Sequence, residues 1–389
     1  MAQSSRSDRS TLRSGQSDRR LLSFPLPVTD APAKKRRLHS LDALRGIAVF
    51  LMIEQHVGIW LWEGPARGEK MMDYPLLVGF NALGGMAAPL FVSLAGVGSA
   101  LMVAANRPRT DITLIRRGIA LMGFGLALNL MTPNWFSWGS WFVLHMMGFA
   151  MALAPIWRRL PTPALLVGCG AVLASTVAVQ LWLDTPLSLT NPRMRDVTMP
   201  GGPLRLALAE GQFPILPWLC FYLAGFCAGR WIWAGRISRV AILGLSFAAL
   251  GGLGRLAVYG GGIDNEYLRR AFELHLGFFP SSVAIAGLLL GGALLLISIV
   301  SGIEKRWTIK PSNPLVTLGR ISLTLLIVHV VVFREWTRFE WIDWWRNLSS
   351  TMSLVAIFGF FGLALFLSRW WQRVGYRYGA EWLLRRVAG

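Results

Sequence analysis

Apolar stretches close to 20 residues long, separated by short polar segments, recur along nearly the whole chain. The hydrocarbon core of a bilayer is about 30 Å thick, and a helix needs roughly 20 residues to cross it. The pattern predicts ten such spans, at 41–62, 77–104, 112–131, 136–157, 163–183, 212–232, 237–258, 281–301, 313–333 and 350–371. Backbone groups find no partner in lipid, so the spans must be helices and the fold class is an all-α polytopic membrane protein. Small residues within the spans, among them Gly84, Gly85, Gly96, Gly225 and Gly229, suit close helix–helix approach. Pro89, Pro214 and Pro217 are expected to kink the helices that hold them. The segment 265–279 alternates apolar and charged positions as a short interfacial helix would.

Residues 1–37 break the pattern. They are rich in Ser, Arg and Pro and read as a disordered, basic cytoplasmic tail able to touch anionic lipid, followed by one membrane domain at 38–389. No apolar core follows Arg19-Arg20, so neither a secretory nor a twin-arginine signal is expected.

Composition supports this reading: 54% of the 389 residues are hydrophobic, 15% are charged, and mean hydropathy is +0.48. With the N-terminus inside, 26 of the 39 Lys and Arg fall on the inner side and 11 on the outer. The positive-inside rule therefore places both termini in the cytoplasm; a multi-pass protein of a bacterial inner membrane is the expectation. The net charge of +19 is then mostly a topology signal. No nucleic-acid-binding module precedes the spans, so no nucleic-acid partner is expected. Cys169, Cys220 and Cys227 lie in spans and read as packing residues.

Chemistry concentrates in the first span. Asp42, Arg45 and His56 lie within about 60° of one another around a helix axis, and ionisable groups in a span rarely sit there without a function. Glu54 lies about 180° from Arg45 and needs a partner on an adjoining helix. His56 and His329 fall in the outer halves of the first and ninth spans, His145 near the middle of the fourth, and His275 in the interfacial segment. Each histidine can also be read as a hydrogen-bonded packing residue, and His145 and His275 favour that reading. No His, Cys or Asp pair has metal-ligand spacing, so no metal site is expected. The loop Trp336–Trp345 suits an interfacial aromatic belt or a sugar-stacking surface.

Arg45 followed by ten residues and His56 resembles the first-span signature of acyltransferase-three membrane proteins. The wider pattern is similar to the related heparan-α-glucosaminide N-acetyltransferase catalytic-domain-like family. The residues that carry this resemblance are Arg37, Asp42-x-x-Arg45-Gly46-x-Ala48, Ala88 to Gly96, Arg116-Arg117-Gly118, Leu144 to Gly148, Phe213 to Trp218 with Gly225 and Gly229, and Gly319 to Leu323 with His329. The lysosomal relative is thought to place its catalytic histidine in the loop after the first span. Here Gly58–Tyr74 contains none, which leaves His56 in that role.

The resemblance implies transfer of an acyl group, commonly acetyl, from a cytoplasmic CoA thioester to a hydroxyl or amine of a glycan or other envelope molecule outside. In that reading acetyl-CoA is a co-substrate, and no cofactor is permanently bound. Arg45, Arg116, Arg117 and Arg320 would hold the CoA phosphates, with Asp42 orienting Arg45. His56 would act as general base, since imidazole titrates at about 6.5, and His329 would orient it or the acceptor. An acyl-histidine intermediate is the variant mechanism. Ser322, about two turns before His329, would line the same cavity. Partners are then the bilayer, an acyl-CoA donor, a small-molecule or glycan acceptor and a second copy of the chain. The competing class is a transporter or flippase using the same intramembrane polar residues without covalent chemistry.

Overall fold

The computed structural model describes residues 38–274 and 278–389. The expected tail at 1–37 and His275 lie outside the described residues. The helices are α1 (His39–Leu61), α2 (Pro75–Gly84), α3 (Ala87–Ala104), α4 (Thr110–Met131), α5 (Val143–Ala152), α6 (Ala154–Trp157), α7 (Thr162–Trp182) and α8 (Gly202–Arg205). They continue with α9 (Ile215–Trp233), α10 (Ile237–Arg255), α11 (Glu266–Phe272), α12 (Val283–Arg306), α13 (Pro314–Arg320), α14 (Ser322–Val330), α15 (Ser350–Arg373) and α16 (Ala380–Ala388). The fold is all-helical, with one isolated bridge between Trp62 and Leu348 among the described residues.

Among the described residues eight helices are long and apolar enough to cross a membrane, and a ninth span follows if the bent pair Pro314–Arg320 and Ser322–Arg338 counts as one. The tenth expected span, 136–157, shrinks to α5 and α6, because the residues before Val143 form turns instead of helix. Of the prolines expected to kink helices, Pro217 follows a kink, at the non-helical Leu216 (φ −101°, ψ 117°), and the other two start helices. Pro89 sits in the first turn of α3 and Pro214 at the N-cap of α9, where a missing N–H costs no intrahelical bond. The interfacial helix at 265–279 appears as α11, capped by the Asn265 side chain on the Leu268 N–H at 3.1 Å.

Small residues set where helices touch. A Cβ built on Gly46 would lie 2.0 Å from the Leu315 carbonyl oxygen, and one on Gly319 would lie 1.7 Å from that of Asp42. Only glycine at both positions lets α1 and α13 cross backbone to backbone, and this crossing brings Arg320 to Asp42.

Two carboxylates from distant helices close helix N-termini at this end of the bundle. Glu304 accepts from the His39 N–H at 2.7 Å, the Ser40 N–H at 3.0 Å and the Ser40 hydroxyl at 2.5 Å. Glu381 of α16 accepts from the Leu323 N–H at 2.5 Å, the Thr324 N–H at 3.2 Å and the Thr324 hydroxyl at 2.7 Å. Helix N-termini carry orphan N–H donors and partial positive charge, so a carboxylate stabilises each of them. The Glu381 cap takes two of the N–H donors that the 73° break between α13 and α14 exposes at the start of α14.

Candidate functional site

α1 is an unbroken helix of 23 residues with Asp42 and Arg45 near its start and His56 near its end. At 1.5 Å per residue, Arg45 and His56 are separated by about 16 Å along the axis. The site therefore has two ends.

At the first end Asp42 is buried, with its side chain only 3% exposed, and it pairs with two arginines. Arg45 Nη1 lies 3.1 Å from Asp42 Oδ1, and Arg320 Nε lies 3.7 Å from Oδ2. The pair with Arg45 stays within one helix turn, whereas the pair with Arg320 depends on the Gly46–Gly319 crossing. Arg117 is half-buried, donates to Met102 Sδ at 3.1 Å, and feels the charges of Arg45 and Arg385. Asp42 thus pairs with two guanidinium ions, and Arg117 and Arg385 of α16 lie near enough for their charges to bear on one another. Arg116 is exposed, and no contact joins it to them among the described residues. Burial pushes the Glu381 carboxyl up, against the hydrogen bonds from Thr324 and Leu323 that favour its ionised form.

At the second end His56 Nδ1 and His329 Nε2 are 3.0 Å apart, and His329 Nδ1 lies 2.9 Å from the Leu325 carbonyl oxygen. These contacts fix the proton order. A carbonyl can only accept, so His329 Nδ1 carries a hydrogen, and in the neutral ring its Nε2 is an acceptor. His56 Nδ1–H then donates to it, leaving a lone pair on His56 Nε2. His329 is fully buried, whereas His56 keeps part of its surface.

Aromatic rings hold the pair in place. His56 stacks on Trp60 with centroids 4.6 Å apart and meets the Trp135 ring edge-on at 5.5 Å. Arg334 lies over Trp345 at 4.4 Å and within 5.7 Å of the Trp60 and Trp135 centroids. The loop carrying Trp345 is tied to the end of α1 by Arg346 N–H to the Trp60 carbonyl and Leu348 N–H to the Leu61 carbonyl, both 2.9 Å. Trp345 thus belongs to the site, while Trp341 in the same loop is 81% exposed and suits the aromatic belt.

The remaining candidates stand apart. His145 is buried in the first turn of α5, against Gly125 and Trp141, where its Nδ1 accepts from the Phe142 N–H at 3.4 Å. Three rings, Phe142, Phe136 and Trp135, separate it from His56. Ser322 opens α14 beside the break, two turns from His329. Glu54 is fully buried, and neither of its oxygens has a hydrogen-bond partner among the described residues.

Sequence reasoning did not find Trp60, Trp135, Arg334 or Glu381. Trp60 was accessible to it, being one turn beyond His56 on the same face. Arg334 was not, because residues Val331–Glu335 form a π-helical turn. That turn brings the fifth residue after His329 toward the site, where α-helical spacing would rotate it about 140° away.

Residues 37–259, more than half of the chain, match the family described as heparan-alpha-glucosaminide N-acetyltransferase, catalytic. The chain belongs to this family. Residues 233–389 match a second family model, described as a protein of unknown function (DUF418). Among curated proteins none matches. The family points to a membrane acetyltransferase. His56 lies under the first match and His329 under the second, so the histidine pair joins the two regions.

Proposed function

We propose that the protein moves an acetyl group from cytoplasmic acetyl-CoA to a hydroxyl or amine of a glycan or other envelope molecule on the opposite side of the membrane. The observation that carries this reading is the relay from the Leu325 carbonyl through His329 to His56, which leaves one unprotonated ring nitrogen on a partly accessible side chain.

His56 Nε2 removes the proton from the acceptor O–H or N–H as the acceptor atom attacks the thioester carbonyl. The carbonyl π pair moves onto oxygen, and the tetrahedral adduct then collapses by breaking the C–S bond. The CoA sulfur leaves with the electron pair and takes the proton back from His56. His329 is a positioning residue: it holds the His56 ring and accepts its Nδ1 hydrogen, favouring the imidazolium formed during attack.

Arg45, Arg320 and Arg117 bind the donor's phosphates at the other end, aided by Arg385. Guanidinium forks match phosphate oxygens and stay charged when half-buried. The axial separation of about 16 Å suits an extended pantetheine arm reaching from those arginines to His56. The abundance of Lys and Arg around the Arg45 end supports a cytoplasmic placement for it.

The test is label transfer. Purified protein is incubated with radiolabelled acetyl-CoA and candidate amino sugars, with His56→Ala in parallel. Wild type is expected to release CoA and acetylate an acceptor, and the variant to do neither. Equal turnover by both would remove His56 from the chemistry.

A further inference from the structure

The arginines at the His56 end are not explained by topology. The charge pattern that puts Lys and Arg on the cytoplasmic side should thin them here, yet four surround the mouth of the histidine pair. Arg338, Arg346 and Arg195 all bear on Arg334 with repulsive sign. Arg338 also lies over Trp345 at 3.6 Å and donates through Nε to the Arg334 carbonyl at 3.0 Å. Arg195 reaches the same edge by donating to the Pro133 carbonyl at 2.7 Å.

Among the described residues Glu335 bears on Arg334 and Arg338 with attractive sign, one negative charge against four positive. No ion pair joins any of the four to a carboxylate among the described residues. Glu335, the acid next in sequence, is occupied by the Asn134 N–H at 3.2 Å and the Asn134 side-chain amide at 2.6 Å. The face of the Arg334 guanidinium rests on Trp345, which leaves its edge to make hydrogen bonds. One Nη donates to the Asn134 carbonyl at 3.2 Å, whereas the buried Nε finds no acceptor among the described residues. A half-buried cation with an unsatisfied donor, pressed by like charges, is stabilised by an anion that fills its free edge.

We propose that Arg334, seated among Trp60, Trp135 and Trp345, is an oxyanion subsite selecting acceptors that carry a phosphate, sulfate or carboxylate near the acetylated group. The inference rests on the acetyl-transfer reading for the word acceptor, but not for the binding. The guanidinium edge would take the oxyanion of a sugar acceptor. Anchored in this way, the sugar presents its hydroxyl or amine to His56 Nε2, since Trp60 touches both His56 and Arg334.

Binding is measured on the full chain in neutral phosphatidylcholine nanodiscs by calorimetry, with glucosamine and glucosamine 6-phosphate as probes. The phosphorylated sugar is expected to bind at least tenfold more tightly than the neutral one. Arg334→Gln should abolish that preference while the neutral sugar still binds, and Arg338→Gln should reduce it in part. Equal binding of the two sugars by the wild-type chain, or no binding of either, overturns the subsite without any variant. A preference that survives Arg334→Gln overturns it too. If the preference holds and label transfer fails with both sugars, the acetyl-transfer reading falls and the oxyanion subsite stands.

Discussion

The imidazole of His56 donates to that of His329 across 3.0 Å, and the two rings lie nearly parallel, 8° apart. Residues 273 positions apart in sequence thus act as one unit, with the second fixed by its own backbone. Replacing the outer member should therefore cost more than replacing the inner one. His56→Ala is expected to lower kcat by about 10²–10⁴-fold, the usual contribution of a general base. His329→Ala should lower kcat by a smaller factor, about 10-fold, with the KM for acetyl-CoA unchanged. Steady-state kinetics on both variants checks this, and a KM effect alone would contradict it.

Donor binding should separate the arginines that the sequence grouped together. Arg45→Gln and Arg320→Gln each remove a charged hydrogen-bonding group from the Asp42 site, which is worth about 1.5–3 kcal/mol. The KM for acetyl-CoA should rise by at least tenfold in each. Arg116→Gln, on an exposed side chain away from that site, should leave it unaltered.

The crossing of α1 and α13 leaves no room for a methyl group. Gly319→Ala would place its Cβ 1.7 Å from the Asp42 carbonyl oxygen, so the helices must separate. Overpacking of this kind costs about 1–3 kcal/mol or more. Loss of thermal stability in detergent, with weaker CoA binding, is the expected result.

Glu210 provides a pH test outside the spans. Burial alone would raise its carboxyl, but hydrogen bonds from Arg205 and Thr185 and the charges of Arg205 and Arg193 hold it below the ordinary carboxylate range. A lowered pKa means that the stabilisation is present above the unfolded carboxyl value of about 4.3 and is lost as pH falls through the folded one. Glu210→Gln is expected to cost about 3 kcal/mol at neutral pH. Thermal melts of variant and wild type should converge as pH drops below about 4. A gap that stays constant with pH would contradict the charge pairing.

Glu54 makes the opposite prediction. A buried carboxyl without hydrogen-bond partners is costly, so Glu54→Met should raise the melting temperature and leave acetyl-CoA binding intact. A large loss of activity in this variant would show that the carboxyl is used.

How much of this was legible in the sequence depends on range. Helical periodicity placed Asp42 beside Arg45 and put Glu54 on a different face, because those relations stay within one helix. The family motifs brought His329 into consideration, but the 3.0 Å contact depends on α1 and α14 running side by side, which no local pattern encodes. Arg116 and Arg117 look equivalent in sequence, yet neighbours on a helix point about 100° apart, so only one faces the bundle. The span expected at 136–157 is helical only from Val143, because hydropathy does not see the turns from Pro133 to Ser140, which the Asn129 side chain fastens at the Ser140 carbonyl, 2.8 Å away. Glu381 carried no sequence signal, since its use as a cap depends on α16 folding back onto the start of α14.

The proton order in the histidine pair also dictates how the protein can be poisoned. Three of the four imidazole nitrogens are engaged in hydrogen bonds, and only His56 Nε2 has an uncommitted lone pair. An alkylating electrophile small enough to pass the tryptophans should therefore leave a single adduct at this pair, on that atom. Peptide mapping of the inactivated chain would find the added mass on His56 and none on His329.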